Sequence, residues 1–207
     1  MNSFETDMKR ALFNIKFCIG IFIQVLILTK YGVEGAQYSI CLPVTVALPY
    51  STAWINEYRN GFIKEYLPRC GFVSYVTGKF FACVLSGGLM CVVSCRIAQI
   101  FETGFVYDKY NLVFCSGMLW AGVASVMAAV SNSRYIAYGG SFVIFYILVI
   151  MYERYFKSLY CLYPIEWYFP THTWVFGESG IIFMIIGFLV MLYLMYYEIL
   201  RRYINYA

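Results

Sequence analysis

Few residues of this 207-residue chain are of types that do chemistry, and their spacing is mostly wrong for it. Gly177-Glu178-Ser179-Gly180 has the form of an intramembrane serine protease signature, in which the serine needs a histidine base within hydrogen-bond reach. His172, the one histidine of the chain, precedes Ser179 by seven residues in a loop, and a four-residue match is too short to carry a dyad. Gly78-Lys79 has the look of a phosphate-binding loop, yet Val73 stands where its first glycine belongs and Phe80 where the magnesium-holding hydroxyl belongs. A single histidine excludes any site of two imidazoles within one chain, and no HExxH or Cys-His cluster offers a metal site. No catalytic, cofactor-binding or metal-ligating residue is assigned, and the chain is not read as an enzyme by itself.

The eight cysteines (18, 41, 70, 83, 91, 95, 115 and 161) fall mostly inside apolar runs, where Cys behaves as a small hydrophobe. Only Cys41 and Cys161 lie near the outer face, so they are the one pair for which a disulfide comes into question, against the specific geometry that a disulfide demands. No apolar window carries an acidic residue in its middle, which leaves no carboxylate chain for proton relay or ion coupling.

The elements that must position these residues follow from composition. The chain is 62% hydrophobic and 13% charged, with mean hydropathy +0.69, where soluble domains carry about 25% charged residues. A water-soluble globule is thereby excluded. The net charge of +4 is too small and scattered for nucleic-acid binding. A helix needs about 20 mostly apolar residues to span the hydrocarbon, and six windows of that order run over 11–29, 38–56, 78–95, 111–131, 135–152 and 179–197. Lys16 and Lys79 shorten the first and third, and a four-span chain with a re-entrant or surface segment is the alternative. Placing the N-terminus in the cytoplasm puts ten basic residues inside (9, 10, 16, 59, 64, 69, 79, 134, 201, 202) and five outside (30, 96, 109, 154, 157), with both termini cytoplasmic. Glu5, Asp7 and the lack of a small-x-small cleavage site predict that the first segment is retained rather than removed as a signal peptide. The expected fold is all-α, a single transmembrane domain over 1–207 in a cell inner membrane.

Three stretches are unusual for a plain helix bundle. The cytoplasmic segment 56–77 mixes charges of both signs with Tyr58, Phe62, Ile63, Tyr66 and Leu67, and Pro68 ends a short helix-like run. An amphipathic helix against a partner, or against the inner leaflet, is predicted there. Residues 156–177 cluster Tyr160, Tyr163, Trp167, Tyr168, Phe169 and Trp174 around Pro164 and Pro170; this reads as two half-helices dipping into the outer leaflet, or as an aromatic belt. At the N-terminus, Phe4, Met8 and Leu12 recur every four residues opposite Glu5, Lys9 and Arg10, the pattern of an amphipathic helix over 1–10 on the inner surface. Gly117, Ala121, Ser125 and Ala129 form a small-residue face on the fourth span, for internal packing or for a dimer seam.

The order Ala47-Leu48-Pro49-Tyr50-Ser51, then Glu57, Gly61 and Phe62, then Arg69, Tyr75, Gly78 and Lys79, resembles the transmembrane subunits of type 2 ATP-binding-cassette (ABC) transporters. The resemblance is specific over residues 47–79 and covers the rest of the chain only as topology. It implies that segment 56–77 is a coupling helix docking on a separate ATPase subunit. Glu57, Gly61, Arg69, Gly78 and Lys79 match the family pattern, and Arg59, Phe62, Lys64 and Glu65 are added as charged or aromatic groups able to grip a partner. It implies a substrate path along the second and fifth spans with Thr45, Tyr50, Ser51 and Ser141 available. Tyr163, Trp167, Phe169 and Trp174 would then belong to an outer gate. The implied protein is a permease half-subunit exporting an amphipathic or apolar cargo (peptide, lipid or drug). It binds no cofactor directly, ATP and Mg being held by the ABC ATPase partner, and it pairs with a second permease copy or paralogue within membrane lipid. A non-transporting membrane scaffold or immunity-type protein that sequesters a partner is the alternative.

Overall fold

The computed structural model describes residues 3–101, 107–174 and 176–205, of which the side chains of Ser3, Lys64, Glu65, Tyr66, Arg69 and Asn205 are not described. Its order is α1 (Ser3–Leu12), α2 (Ile15–Tyr31), α3 (Ala36–Thr45), α4 (Ala53–Arg59), α5 (Phe62–Cys70), α6 (Phe72–Phe101), α7 (Tyr110–Ser131), α8 (Arg134–Ile150) and α9 (Gly177–Asn205). Among the described residues there is no strand, as the all-α expectation requires. Four helices are long and apolar enough to cross a membrane: α6, α7, α8 with the π turn that continues it (Met151–Tyr155), and α9. The chain is a membrane-embedded, multi-pass helical protein.

The other two predicted windows take a different form. Window 11–29 becomes α2, joined to α1 at a 50° bend, and only the two together are long enough to cross. The Asn14 side chain caps α2 by accepting from the Lys16 N–H at 3.1 Å, which fixes the bend. Window 38–56 is not one helix. α3 ends at Thr45, residues 46–52 form turns, and α4 follows. Pro49 explains the break: it has no N–H for the Thr45 carbonyl, which accepts instead from Leu48 N at 3.1 Å. Pro68, expected to end the next run, lies inside α5, which continues to Cys70.

α6 and α7 form the centre. Their apolar windows are 61% and 67% buried, against 22% for α8 and α9, which turn Phe183, Met191, Leu194 and Val143 outward to lipid. The two central helices approach closely because Gly87 faces Gly117 and Ala121: a Cβ on Gly87 would lie 2.5 Å from the Ala121 Cβ and 2.9 Å from the Gly117 carbonyl oxygen. The small-residue face of the fourth predicted span is thus used inside the chain.

At one end of the bundle, which we call the corner end, α4 and α5 meet at Gly61, whose φ of 70° is the left-handed conformation open to glycine. At the opposite end, segment 156–177 shows no half-helices among its described residues. It holds two short 3-10 turns, Tyr160–Leu162 and Pro164–Trp167. These turns cap the bundle, with Trp167 stacked on Trp120 of α7 at 5.8 Å and donating from Nε1 to the Cys161 carbonyl at 2.9 Å. All eight cysteines, Cys41 and Cys161 included, are free thiols.

Candidate functional site

The strongest concentration of charge in the interior lies at the corner end, around Lys79. This residue sits in an otherwise apolar stretch of α6 and is 3% exposed, so its ammonium needs partners in place of water. It donates to Asp7 Oδ1 at 2.9 Å, to the Tyr50 hydroxyl at 2.9 Å and to Glu57 Oε1 at 2.5 Å, using its three protons on three acceptors. The Tyr50 hydroxyl in turn donates to Asp7 at 2.6 Å, and the Tyr75 hydroxyl to Glu57 Oε2 at 2.7 Å. Both tyrosine rings also face the ammonium, with centroids 5.2 and 5.5 Å away. Arg10 reaches the same Glu57 oxygen at 3.5 Å from a side chain that is 60% exposed. Two carboxylates therefore balance two cations, drawn from α1, α4 and α6.

This cluster rearranges the expected amphipathic helix. Asp7 and Ala11, one turn apart, are the buried face of α1, while Phe4 is exposed; α1 packs on α6 instead of presenting the Phe4-Met8-Leu12 face as its buried side. Neither Asp7 nor the counter-charge of Lys79 was readable from an acidic residue within an apolar window, because Asp7 arrives from outside every window. The one available signal was Lys79 itself, a charge in a span that must find an opposite charge somewhere.

Beside the cluster an open groove of about 330 Å³ is lined by Arg10, Asn56, Glu57, Asn60, Gly61 and Phe62. Here the predicted coupling residues separate. Phe62 and Gly61 are exposed on the corner. Arg59 is exposed but committed, donating at 2.8 Å to the carbonyl of Asn132, the left-handed residue that closes α7. Glu57 is turned inward on Lys79, so it braces the corner from within. Lys64, Glu65 and Arg69 lie on α5, and their side chains fall outside the described residues.

The predicted path residues are held by bonds within the protein. Thr45 accepts from Gln24 Nε2 at 2.8 Å and donates to backbone carbonyls of its own helix. Ser51 donates to the Ala47 carbonyl, Ser141 to the Pro43 carbonyl at 3.0 Å, and Tyr50 belongs to the ion cluster. All four are buried; Thr45, Ser51 and Ser141 spend their hydroxyls on backbone carbonyls, and Tyr50 spends its own on the Asp7 carboxylate.

Each of the predicted gate residues packs against a neighbour in the cap or the core. Tyr163 stacks on Tyr152 at 4.5 Å, Trp167 on Trp120, Trp174 meets Tyr160 edge-on at 5.0 Å, and Phe169 packs on the same core. Sequence reasoning missed what holds them: Glu166, 1% exposed, accepts from the backbone N–H of Thr171 at 3.0 Å and of His172 at 3.2 Å, from the Thr171 hydroxyl, and pairs with His172 Nδ1 at 2.8 Å. Burial, the largest single influence, pushes this carboxyl up, but the bonds from Thr171 and His172 outweigh it and hold it below its ordinary value of 4.5.

With this geometry in view, comparison finds no relative. The chain matches no protein-family model, no curated protein and no solved structure. Among the described residues no group of three or more His, Cys, Asp and Glu side chains could hold a metal ion. What the arrangement can do is mechanical: it ties an exposed two-helix corner to the helices of the interior through buried charge.

Proposed function

We propose that the chain is the permease half-subunit of an ATP-driven ABC export system, working with a separate ATPase subunit and a second permease copy. One observation carries the reading. The corner α4–Gly61–α5 presents Asn60, Gly61 and Phe62 outward, while Glu57 of the same corner grips Lys79 of the long central helix. A push on the corner is thereby transmitted to α6 and, through Asp7, to α1, which is what a docking partner must exploit to bias two global states.

In this reading the corner end is cytoplasmic, both termini lie on that side, and the chain makes six crossings, the first bent and the second broken at Pro49. The excess of basic residues at that end supports the orientation. The cargo is amphipathic or apolar, because Thr45, Ser51 and Ser141 spend their hydroxyls on the protein backbone and leave no fixed charge for an ion. That same self-satisfaction favours the second reading, a non-transporting scaffold that holds a partner in the bilayer.

The test is a pull-down of the tagged protein from its native membrane in mild detergent, with crosslinking, scored for a stoichiometric subunit that hydrolyses ATP. Asn60→Arg and Phe62→Ala should release that subunit with the bundle still folded, since both alter the outer face of the corner. Recovery of the protein without an ATPase would exclude the permease reading and leave the scaffold.

A further inference from the structure

The ion cluster shares its charges among more than one partner. In the structure Glu57 Oε1 is shared, 2.5 Å from Lys79 and 3.5 Å from Arg10, and Lys79 is shared between Glu57 and Asp7. If α4 shifts outward, Glu57 can leave Lys79 and the Tyr75 hydroxyl for Arg10, whose exposed side chain is able to follow, while Lys79 keeps Asp7 and Tyr50. No buried charge is then left alone, and it is the unpaired charge that makes breaking a buried pair costly.

Two further observations point to α4 as the moving piece. Trp54 Nε1 and Asn56 Oδ1, both on this seven-residue helix, are buried without a hydrogen-bond partner, a cost that a small outward shift toward water would relieve. The segment that follows is jointed at both ends by glycines of positive φ, Gly61 at 70° and Gly71 at 74°, each with open space around it. A turn in the chain therefore permits what the charge pairing tolerates.

We propose that Asp7 and Arg10 of α1 are positioning residues for a charge exchange that lets α4 move: Glu57 passes between Lys79 and Arg10 while Asp7 keeps Lys79 neutralised. The inference rests on the docking reading of the corner only for its use in transport. The exchange itself is a property of this chain alone.

The experiment uses the full chain in nanodiscs, labelled with 5-fluorotryptophan, so that its four tryptophans report by fluorine NMR and Trp54 is assigned by Trp54→Phe. Trp54 lies on α4, packed against Tyr58 and Tyr203, so its resonance reads the position of that helix. Lys79→Met removes the inward anchor and should raise the outward population at least about threefold, by the arithmetic of a two-state shift. Asp7→Asn makes Glu57 the only carboxylate left on Lys79, and Arg10→Gln removes the outward anchor; both should lower the outward population by a similar factor. A cluster that is merely structural predicts that every variant loosens α4, so a shift of Asp7→Asn or Arg10→Gln in the direction of Lys79→Met, or no shift, overturns the proposal. Should Asp7→Asn fail to fold, Arg10→Gln, a change at an exposed side chain, decides. A corner that responds as predicted but draws down no ATPase refutes the permease reading and leaves the exchange standing.

Discussion

The Lys79 ammonium lies 2.9 Å from the Asp7 carboxylate, a residue 72 positions earlier, and this contact fastens the N-terminal helix to the centre of the bundle. Both groups are 3% exposed, so the pair is held in a setting where neither ion has water to fall back on. Lys79→Met should therefore destabilise the protein by about 3–5 kcal/mol, the usual cost of leaving a buried partner charge uncompensated. Combining it with Asp7→Asn and Glu57→Gln should recover part of the loss. Unfolding midpoints in a fixed detergent check this; a single variant as stable as the parent would show that the cluster is solvated.

The glycines of α6 and α8 should respond with opposite signs. Gly87→Ala puts a methyl group against Ala121 and the Gly117 carbonyl, and should cost about 1–3 kcal/mol as α6 and α7 are forced apart. Gly139→Ala meets nothing within 4 Å and should stabilise by about 0.5–1 kcal/mol through helix propensity alone. The comparison is again one of unfolding midpoints, and equal effects at the two sites would contradict the close approach of α6 and α7.

Trp167→Ala should detach the cap from the bundle. It removes a ring that is 3% exposed and stacked on Trp120, a loss of about 3–5 kcal/mol for a buried tryptophan. Protease cleavage within 156–174 should rise while the membrane-embedded fragments stay intact. A cap that resists cleavage after this change would place its anchorage elsewhere.

Glu166 gives the cap a pH dependence of definite sign. Its carboxyl lies below 4.5 in the folded protein, so the unfolded chain takes up the proton first and the folded state gains stability as pH rises. The contribution is complete above that ordinary value and is lost as pH falls through the folded one. Glu166→Gln should lower cap stability at neutral pH, and the gap between variant and parent should close in acid. A gap independent of pH would mean that shape, not charge, holds residues 166–172.

The sequence by itself determined the solvent and the long helices. Apolar length is a local property, so windows 78–95, 111–131, 135–152 and 179–197 translate directly into α6 to α9. It also made the corner legible as a place where charge, glycine and aromatic residues meet, and grouped Tyr163, Trp167, Phe169 and Trp174 at one place. Only the tertiary structure decided what these residues face. Glu57 reads as a coupling charge on a cytoplasmic segment, yet the buried Lys79 claims it; Asp7 counts in the sequence only against a signal peptide, yet it fills the same need from 72 positions away. The reason is physical: hydrophobicity is written residue by residue, whereas the partner of a buried charge is fixed by whichever opposite charge the folded chain brings within reach, and no periodicity records that distance.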